Sequence, residues 1–151
     1  SIILTRLDNL DGIGKLKKYI VIAHSINFGK WYTKLSIMNL RKLLNKNEFE
    51  KSFVRGFYEA EGSISSCSHK YKDKKYEVIS IYMSNTDLEL INLVKDLTNN
   101  MGFRFNLNGP YKNNGYGEYN SKPIYRITTS IQSDINKFIN TIEPVGKLLR
   151  S

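Results

Sequence analysis

Residues 48–65 read EFEKSFVRGFYEAEGSIS, and this stretch constrains the chain more than any other. Phe49, Phe53 and Phe57 recur at i, i+4 and i+8, which sets one apolar face of a helix. Asn45 or Asn47 is the expected N-cap, acids fill the first turn, and Gly62 ends the helix. Gly56 and Ala60, four apart, leave a strip with almost no side chain. Such a strip lets a second helix backbone approach closely; the case is best known from membrane helices, but the steric argument is general. Two carboxylates, Glu59 and Glu61, close the helix. A surface helix with solvated acids is the bland alternative, and the rest of the chain has to decide against it.

The remaining pattern is short and alternates in kind. Residues 2–7 and 18–24 are β-branched runs around Asp11-Gly12, a hairpin signal. Residues 26–44 read as one or two helices, with Ile37, Leu40, Leu43 and Leu44 at helical spacing and Trp31 as a core anchor. After the opening helix, residues 63–69 and 76–83 read as strands joined by the polar turn KYKDKK, with Ile79, Ile81 and Met83 facing a core. Residues 86–101 form an amphipathic helix with Thr86 as cap and Glu89 completing a capping box; Gly102 stops it. Phe103, Phe105 and Leu107 then alternate with Arg104, Asn106 and Asn108. A loop over residues 109–122 leads to a strand at 124–130 and a helix at 133–142. From Asn47 the order is αββαββα, an α+β unit with an antiparallel sheet, assigned to residues 45–151. Residues 1–44 read ββα, the tail of a preceding half-unit and so a partial internal repeat.

Charge narrows the partner. The chain has 151 residues, with 23 Lys+Arg against 14 Asp+Glu and a net charge of +9, which favours a polyanion. A single cysteine, Cys67, excludes an internal disulfide and a thiolate metal cluster, and suits a reducing interior: cytoplasm, nucleoid or an organelle. No apolar run reaches membrane-span length and no secretory signal is visible, so no membrane partner is expected. The chain opens at Ser1 rather than Met, as a processed or trimmed product does.

Both sheet hairpins carry polar, basic and aromatic residues at outward positions. The first offers Ser65, Cys67, His69, Lys70, Tyr71, Lys72, Lys74, Lys75, Tyr76, Ser80 and Tyr82. The second offers Arg104, Asn106, Asn108, Lys112, Asn113, Lys122, Arg126 and Thr128. Lys and Arg answer phosphates, while Arg, Asn, Ser and Thr read base edges in a duplex groove. A solvated sheet face is the alternative for one hairpin; two of matching character in so basic a chain favour nucleic acid.

Other chemistries fail on the residues. His24 and His69 sit in no nuclease motif, GPYKNNGYG lacks the lysine ending of a phosphate loop, and RGFYEAE departs from an RNA-recognition strand after three residues. An acid at a helix end beside a basic sheet is left. A carboxylate near phosphates makes sense when a hard divalent cation lies between them. One acid holds a metal poorly, and a second copy of the helix would supply another.

The stretch Val54-Arg55-Gly56-Phe57-Tyr58-Glu59-Ala60-Glu61-Gly62 resembles the motif of the LAGLIDADG homing endonucleases. Gly56, Ala60 and Gly62 match directly, Glu59 and Glu61 replace aspartates, and the αββαββα order extends the resemblance from residue 47 to about 142. The resemblance implies that Glu61 is the metal-binding catalytic acid and that the Ala60 carbonyl also faces the metal. It makes Glu59 more structural, and gives Asn85 a water-ordering role beside its alternative as a helix cap. It implies Mg²⁺, with Mn²⁺ or Ca²⁺ able to substitute in binding, and a helix interface built from Gly56, Ala60, Phe57 and Phe53. Two departures stand out: Gln132 and Ser133 occupy the region where the family often has a basic residue, and Arg55 replaces an alanine. LDNLDGIGKL is no second motif, since no acid follows Gly12. The partner helix therefore comes from a homodimer or from a missing N-terminal half. Two functions remain: a metal-dependent, sequence-specific double-strand DNA endonuclease encoded by a mobile intron or intein, or a non-catalytic binder of the same fold, an intron RNA maturase or DNA-binding regulator. A basic structural protein of a ribonucleoprotein would explain the charge but not the helix ending.

Overall fold

The computed structural model describes residues 2–7, 18–23, 26–112 and 122–146. The chain divides into two compact units, one ending at Ser36 and the other opening at Ile37. In the first, β1 (Ile2–Leu7) and β2 (Lys18–Ala23) pair antiparallel from Ile2↔Ala23 to Leu7↔Lys18, and α1 (Ile26–Tyr32) follows. The Asp11-Gly12 turn and His24 lie outside the described residues. Trp31 corrects the expectation of a core anchor: it is 47% exposed on a two-turn helix whose Ile26 is also in solvent.

The second unit runs α2 (Ile37–Leu43), α3 (Asn47–Glu61), β3 (Gly62–Tyr71), β4 (Lys74–Asn85), α4 (Leu88–Asn100), β5 (Asn106–Tyr111), β6 (Ile124–Thr129) and α5 (Gln132–Ile142). The expected αββαββα order is the observed one, and its strands form one antiparallel sheet in the order β3-β4-β6-β5. The short helix α2, grouped by sequence with residues 1–44, packs in this unit: Ile37 and Leu40 lie against the core, and Arg41 donates to Asp96 of α4 at 2.7 Å.

Period-two alternation divides the sheet into two faces. Ile81, Met83 and Ile127 are fully buried, with Ile64 and Ile79 packed beside them. Three helices cover this face. Helix α3 buries Val54, Phe57 and Tyr58, α4 buries Ile91, Leu93, Val94 and Leu97, and α5 buries Ile135, Phe138 and Ile142. Phe138 is the meeting point: its ring makes edge-to-face contacts with Tyr58 at 5.3 Å, Phe103 at 5.4 Å and Phe105 at 5.7 Å.

The structure revises several local expectations. Strands β3 and β4 run further than expected, so the turn shrinks to Lys72-Asp73, both at positive φ (45° and 64°). Two residues of that kind twist a hairpin with the sheet, and the Lys70–Asp73 ion pair at 3.3 Å closes it. Lys46, in extended backbone and without a capping side chain, takes the N-cap of α3 instead of an asparagine; Glu48 and Glu50 answer the helix dipole there. At α4 the cap is Asp87, whose carboxylate accepts the Leu90 N–H at 3.1 Å, so the Thr86–Glu89 box does not form. Phe103 and Phe105 are drawn under Phe138 before β5 begins, and Leu107, on an edge strand, is 39% exposed rather than core.

That connection is fixed by an ion pair. Asp134, in the first turn of α5, is 5% exposed. It accepts from the Arg104 backbone N–H (2.9 Å), Nε (2.8 Å) and Nη2 (2.9 Å). The Arg104 hydrogen bonds hold the Asp134 carboxyl down at about 2, against a smaller opposing push from burial. A depressed folded-state pKa gives stability that is present above the ordinary carboxylate range and lost as pH falls toward 2. Arg104→Ala should therefore destabilise the fold at neutral pH, since Asp134 loses both guanidinium bonds and keeps the backbone N–H of residue 104. In urea unfolding, the gap between variant and parent should close as pH is lowered from 5 to 2. A gap that stays constant over that interval would contradict the assigned cause.

Candidate functional site

The open face of the sheet follows from the register. Ser63↔Tyr82, Ser65↔Ser80, Cys67↔Val78 and His69↔Tyr76 are direct cross-strand partners of β3 and β4. Tyr82↔Thr128 and Ser84↔Arg126 carry the same face onto β6, and Asn106↔Thr128 and Asn108↔Arg126 carry it onto β5. These side chains are exposed or half-buried, and the helices lie on the other side. Ser65, Cys67, His69, Tyr76, Ser80, Tyr82, Asn106, Asn108, Arg126 and Thr128 thus share one surface, as expected, and Lys74 belongs to it by alternation.

Several of these groups are ordered by their neighbours. His69 stacks on Tyr76 with ring centroids 5.7 Å apart. Ser80 and Ser130 share a 2.7 Å hydroxyl hydrogen bond across the strands. Arg126 lies over the Tyr82 ring at 4.6 Å and the Tyr111 ring at 5.6 Å, and its Nε donates to Ser84 Oγ at 3.0 Å. Ser84, Tyr111 and Ser130 were absent from the sequence inventory. Counting by twos from Ser80 would have found Ser84, whereas Tyr111 sits beyond a register shift in β5 that alternation cannot foresee.

Four lysine or arginine positions do not join this surface. Lys70 and Lys75 are partners of each other and alternate onto the opposite face, in parity with Ile64 and Ile81. Arg104 precedes β5 and is held by Asp134, so it serves the fold first. Lys72 sits in the hairpin turn. Lys112 and Lys122 are exposed at the far ends of β5 and β6, while Asn113 and the Tyr71 side chain lie outside the described residues.

The helix end lies beside this sheet. Gly62 is in ordinary extended backbone (φ −92°, ψ 167°), so its lack of a side chain answers space rather than φ. A Cβ there would stand 2.6 Å from the Tyr58 carbonyl oxygen and inside the Tyr58 ring. Burial, then the Glu59 charge, pushes the Tyr58 hydroxyl up to about 12, so it stays neutral. The chain therefore passes directly from Glu61 into β3, and Glu61 lines a cleft of about 350 Å³ with Ser84, Asn85, Thr86 and Ile124.

The two acids have different surroundings. Glu59 accepts from the backbone N–H groups of Val145 and Gly146, the latter at 3.1 Å, tying the segment after α5 to the motif helix. Glu61 is exposed and has no hydrogen bond or ion pair among the described residues. Asn85 uses its Oδ1 to accept the Asp87 N–H at 3.0 Å, a turn bond that leads into the Asp87 cap rather than capping the helix itself; its Nδ2 makes no hydrogen bond among the described residues. Among the described residues, no group of three His, Cys, Asp or Glu could hold a metal. Glu61 is an oxygen donor of the kind Mg²⁺ takes, and among the described residues it is the one acid lining this cleft.

The small strip faces outward. Gly56 and Ala60 are exposed, and a Cβ added at Gly56 would meet nothing within 4 Å. Phe57 does not join them: it is buried in the core, with Phe53 half-buried and stacked on it. Phe57 lies off the exposed strip because it is about 100° round the helix from Gly56, which points it into the core. Phe49, 49% exposed, stands about two turns before Gly56 on the same side of the helix.

Residues 48–143 match the family model of the LAGLIDADG-like domain. Among solved structures, the fold is similar to mesophilic variants of the homing endonuclease I-DmoI, with a TM-score of 0.55 and 20% identity over 93% of this chain and 62% of that one. It also aligns with the archaeal intron-encoded homing endonuclease I-Vdi141I complexed with DNA (TM-score 0.48, 18% identity, 65% of this chain and 56% of that one). A third alignment is with the group I intron-encoded homing endonuclease I-CeuI complexed with DNA (TM-score 0.46, 17% identity, 79% and 56%). The chain thus spans little more than half the length of these relatives. No curated protein matches it.

The division of labour between the acids is measurable. Glu59→Ala should speed hydrogen exchange at the Val145 and Gly146 amides by about tenfold, the loss of a charge-assisted bond. Glu61→Gln should leave both amides unchanged. Equal effects from the two variants would overturn the assignment.

Proposed function

Because the chain belongs to the LAGLIDADG-like domain family, we propose that it is a sequence-specific, divalent-metal-dependent double-strand DNA endonuclease that hydrolyses phosphodiester bonds, encoded by a mobile intron or intein. The observation that carries this reading is Glu61, an acid answered by no donor or cation among the described residues, at the mouth of a basic, polar sheet. A pure binder gains nothing from such a charge beside phosphates; a cation between them turns it into an asset.

The open sheet face lies in a duplex groove, with His69, Tyr76, Asn106, Asn108, Arg126 and Thr128 toward base edges and Lys74, Lys112 and Lys122 toward phosphates. Glu61 and the Ala60 carbonyl would hold Mg²⁺, and Asn85 Nδ2, in the same cleft as Glu61, would order a water. When bound, the metal would supply a water of lowered pKa and neutralise the scissile phosphate. The second carboxylate comes from another copy of α3 packed against the Gly56–Ala60 strip, in a homodimer that reads a near-palindromic site. A preceding half-unit within a longer protein is the other source of that helix.

Two experiments test the proposal. Wild type should cut members of a duplex library in Mg²⁺, and Glu61→Gln should bind the same duplexes but cut at least about a hundredfold more slowly, as expected when a metal-held nucleophile is lost. Tight binding without cutting by wild type would favour the non-catalytic reading. For assembly, Gly56→Leu should leave the protomer as stable as wild type, or more so by about 0.8 kcal/mol, because helix propensity improves and no neighbour is struck. The same variant should sediment as a monomer where wild type is a dimer. A wild-type monomer would assign the partner helix to a missing half.

A further inference from the structure

Arg126 is placed differently from the other cations of the sheet. The open-face lysines Lys74, Lys112 and Lys122 are exposed, whereas the Arg126 guanidinium is half-buried beside two aromatic rings, 4.6 Å from Tyr82 and 5.6 Å from Tyr111. Its Nε is fixed to Ser84 Oγ at 3.0 Å. Ser84 is the cross-strand partner of Arg126 and also lines the Glu61 cleft, so the guanidinium sits at the end of the sheet closest to that acid. Two tyrosine rings flank the guanidinium, one edge is tied down, and among the described residues the two terminal nitrogens make no hydrogen bond.

A guanidinium held in this way has lost most of its rotamer freedom before any ligand arrives. What remains is a planar pair of N–H donors on the open face of a sheet. That fork matches the adjacent O6 and N7 acceptors of guanine in the major groove, the one base edge presenting two acceptors side by side. Phosphate oxygens also accept a fork. A phosphate contact, however, needs a reach to the groove wall, and here Nε and both ring contacts keep the group on the sheet surface. Resting on the DNA-binding reading above, we propose that Arg126 is a preorganised guanine reader that fixes one base of the target close to the cleavage centre. Tyr82, Tyr111 and Ser84 are its positioning residues.

The test is selection from a randomised duplex library by the full chain in EDTA, followed by sequencing of the bound pool. Wild type should enrich guanine at one position, or at a symmetry-related pair in a dimer, by about 5- to 150-fold over other bases. Arg126→Lys keeps the charge and loses the fork, so the enrichment at that position should vanish while the other positions persist. Ser84→Ala should weaken the same enrichment several-fold without moving any other. Circular dichroism of both variants should match wild type, since Arg126 is not part of the buried core. If Arg126→Lys instead lowers affinity evenly across all sequences, the residue contacts phosphate and the inference fails. If wild type enriches duplexes with no guanine dependent on residue 126, the inference alone is overturned. If it enriches no duplex at all, the DNA reading falls and the inference falls with it.

Discussion

The Phe138 ring is the interaction on which the arrangement depends. It touches Tyr58 from α3 and Phe103 and Phe105 from the α4–β5 connection, so one side chain fixes both against α5. Tyr58 has to turn inward for this contact, and that sets the rotation of α3 about its axis. With Tyr58, Phe57 and Val54 inside, Gly56 and Ala60 are outside. The same rotation leaves room for nothing at residue 62 but glycine, and the helix hands over at once to β3. The exposed strip, the missing side chain and the position of Glu61 are consequences of a single packing decision.

Register does for the sheet what Phe138 does for the helix. A slip of one residue between β3 and β4 would exchange the two faces, sending Ile81 and Met83 outward and Tyr82 inward. The burial of Ile81, Met83 and Ile127 excludes that slip. The surface opposite the core is therefore specified by the core itself. Its chemistry is selected for what it meets outside, since nothing inside constrains it.

Much of this was legible because two periods, 3.6 and 2, are written in the apolar residues. The element order from Asn47, the inward residues of β4 and the Gly56–Ala60 strip follow from them directly. What was misread depends on partners far along the chain. Arg104 looks like a DNA contact in any local window, but its carboxylate lies 30 positions on, in a helix whose approach no periodicity announces. Phe103 and Phe105 alternate as strand residues do, yet Phe138 claims both rings. Lys70 and Lys75 read as residues of a six-residue turn; with the turn reduced to Lys72-Asp73 they are paired strand residues, and alternation puts them on the face of Ile64 and Ile81. At Asn85 the sequence leaves two roles standing; the cap itself is Asp87, and Asn85 holds the turn before it through its Oδ1.

In the proposed function one chain is an incomplete site, and the surroundings of the two acids account for it. The C-terminal end of a helix carries partial negative charge, so two carboxylates there are opposed by the backbone itself. Glu59 escapes by accepting the Val145 and Gly146 N–H groups. Glu61 has no such relief among the described residues, and bringing a second Glu61 alongside it, as close helix packing at a glycine–alanine strip would do, raises the repulsion further. In the proposed function a divalent cation removes that penalty, and phosphates fill the rest of its coordination. Helix pairing, metal binding and DNA binding then draw on the same free energy. By linkage each must tighten the others, so the pairing that the small strip permits sterically becomes favourable electrostatically only with the metal and the duplex in place.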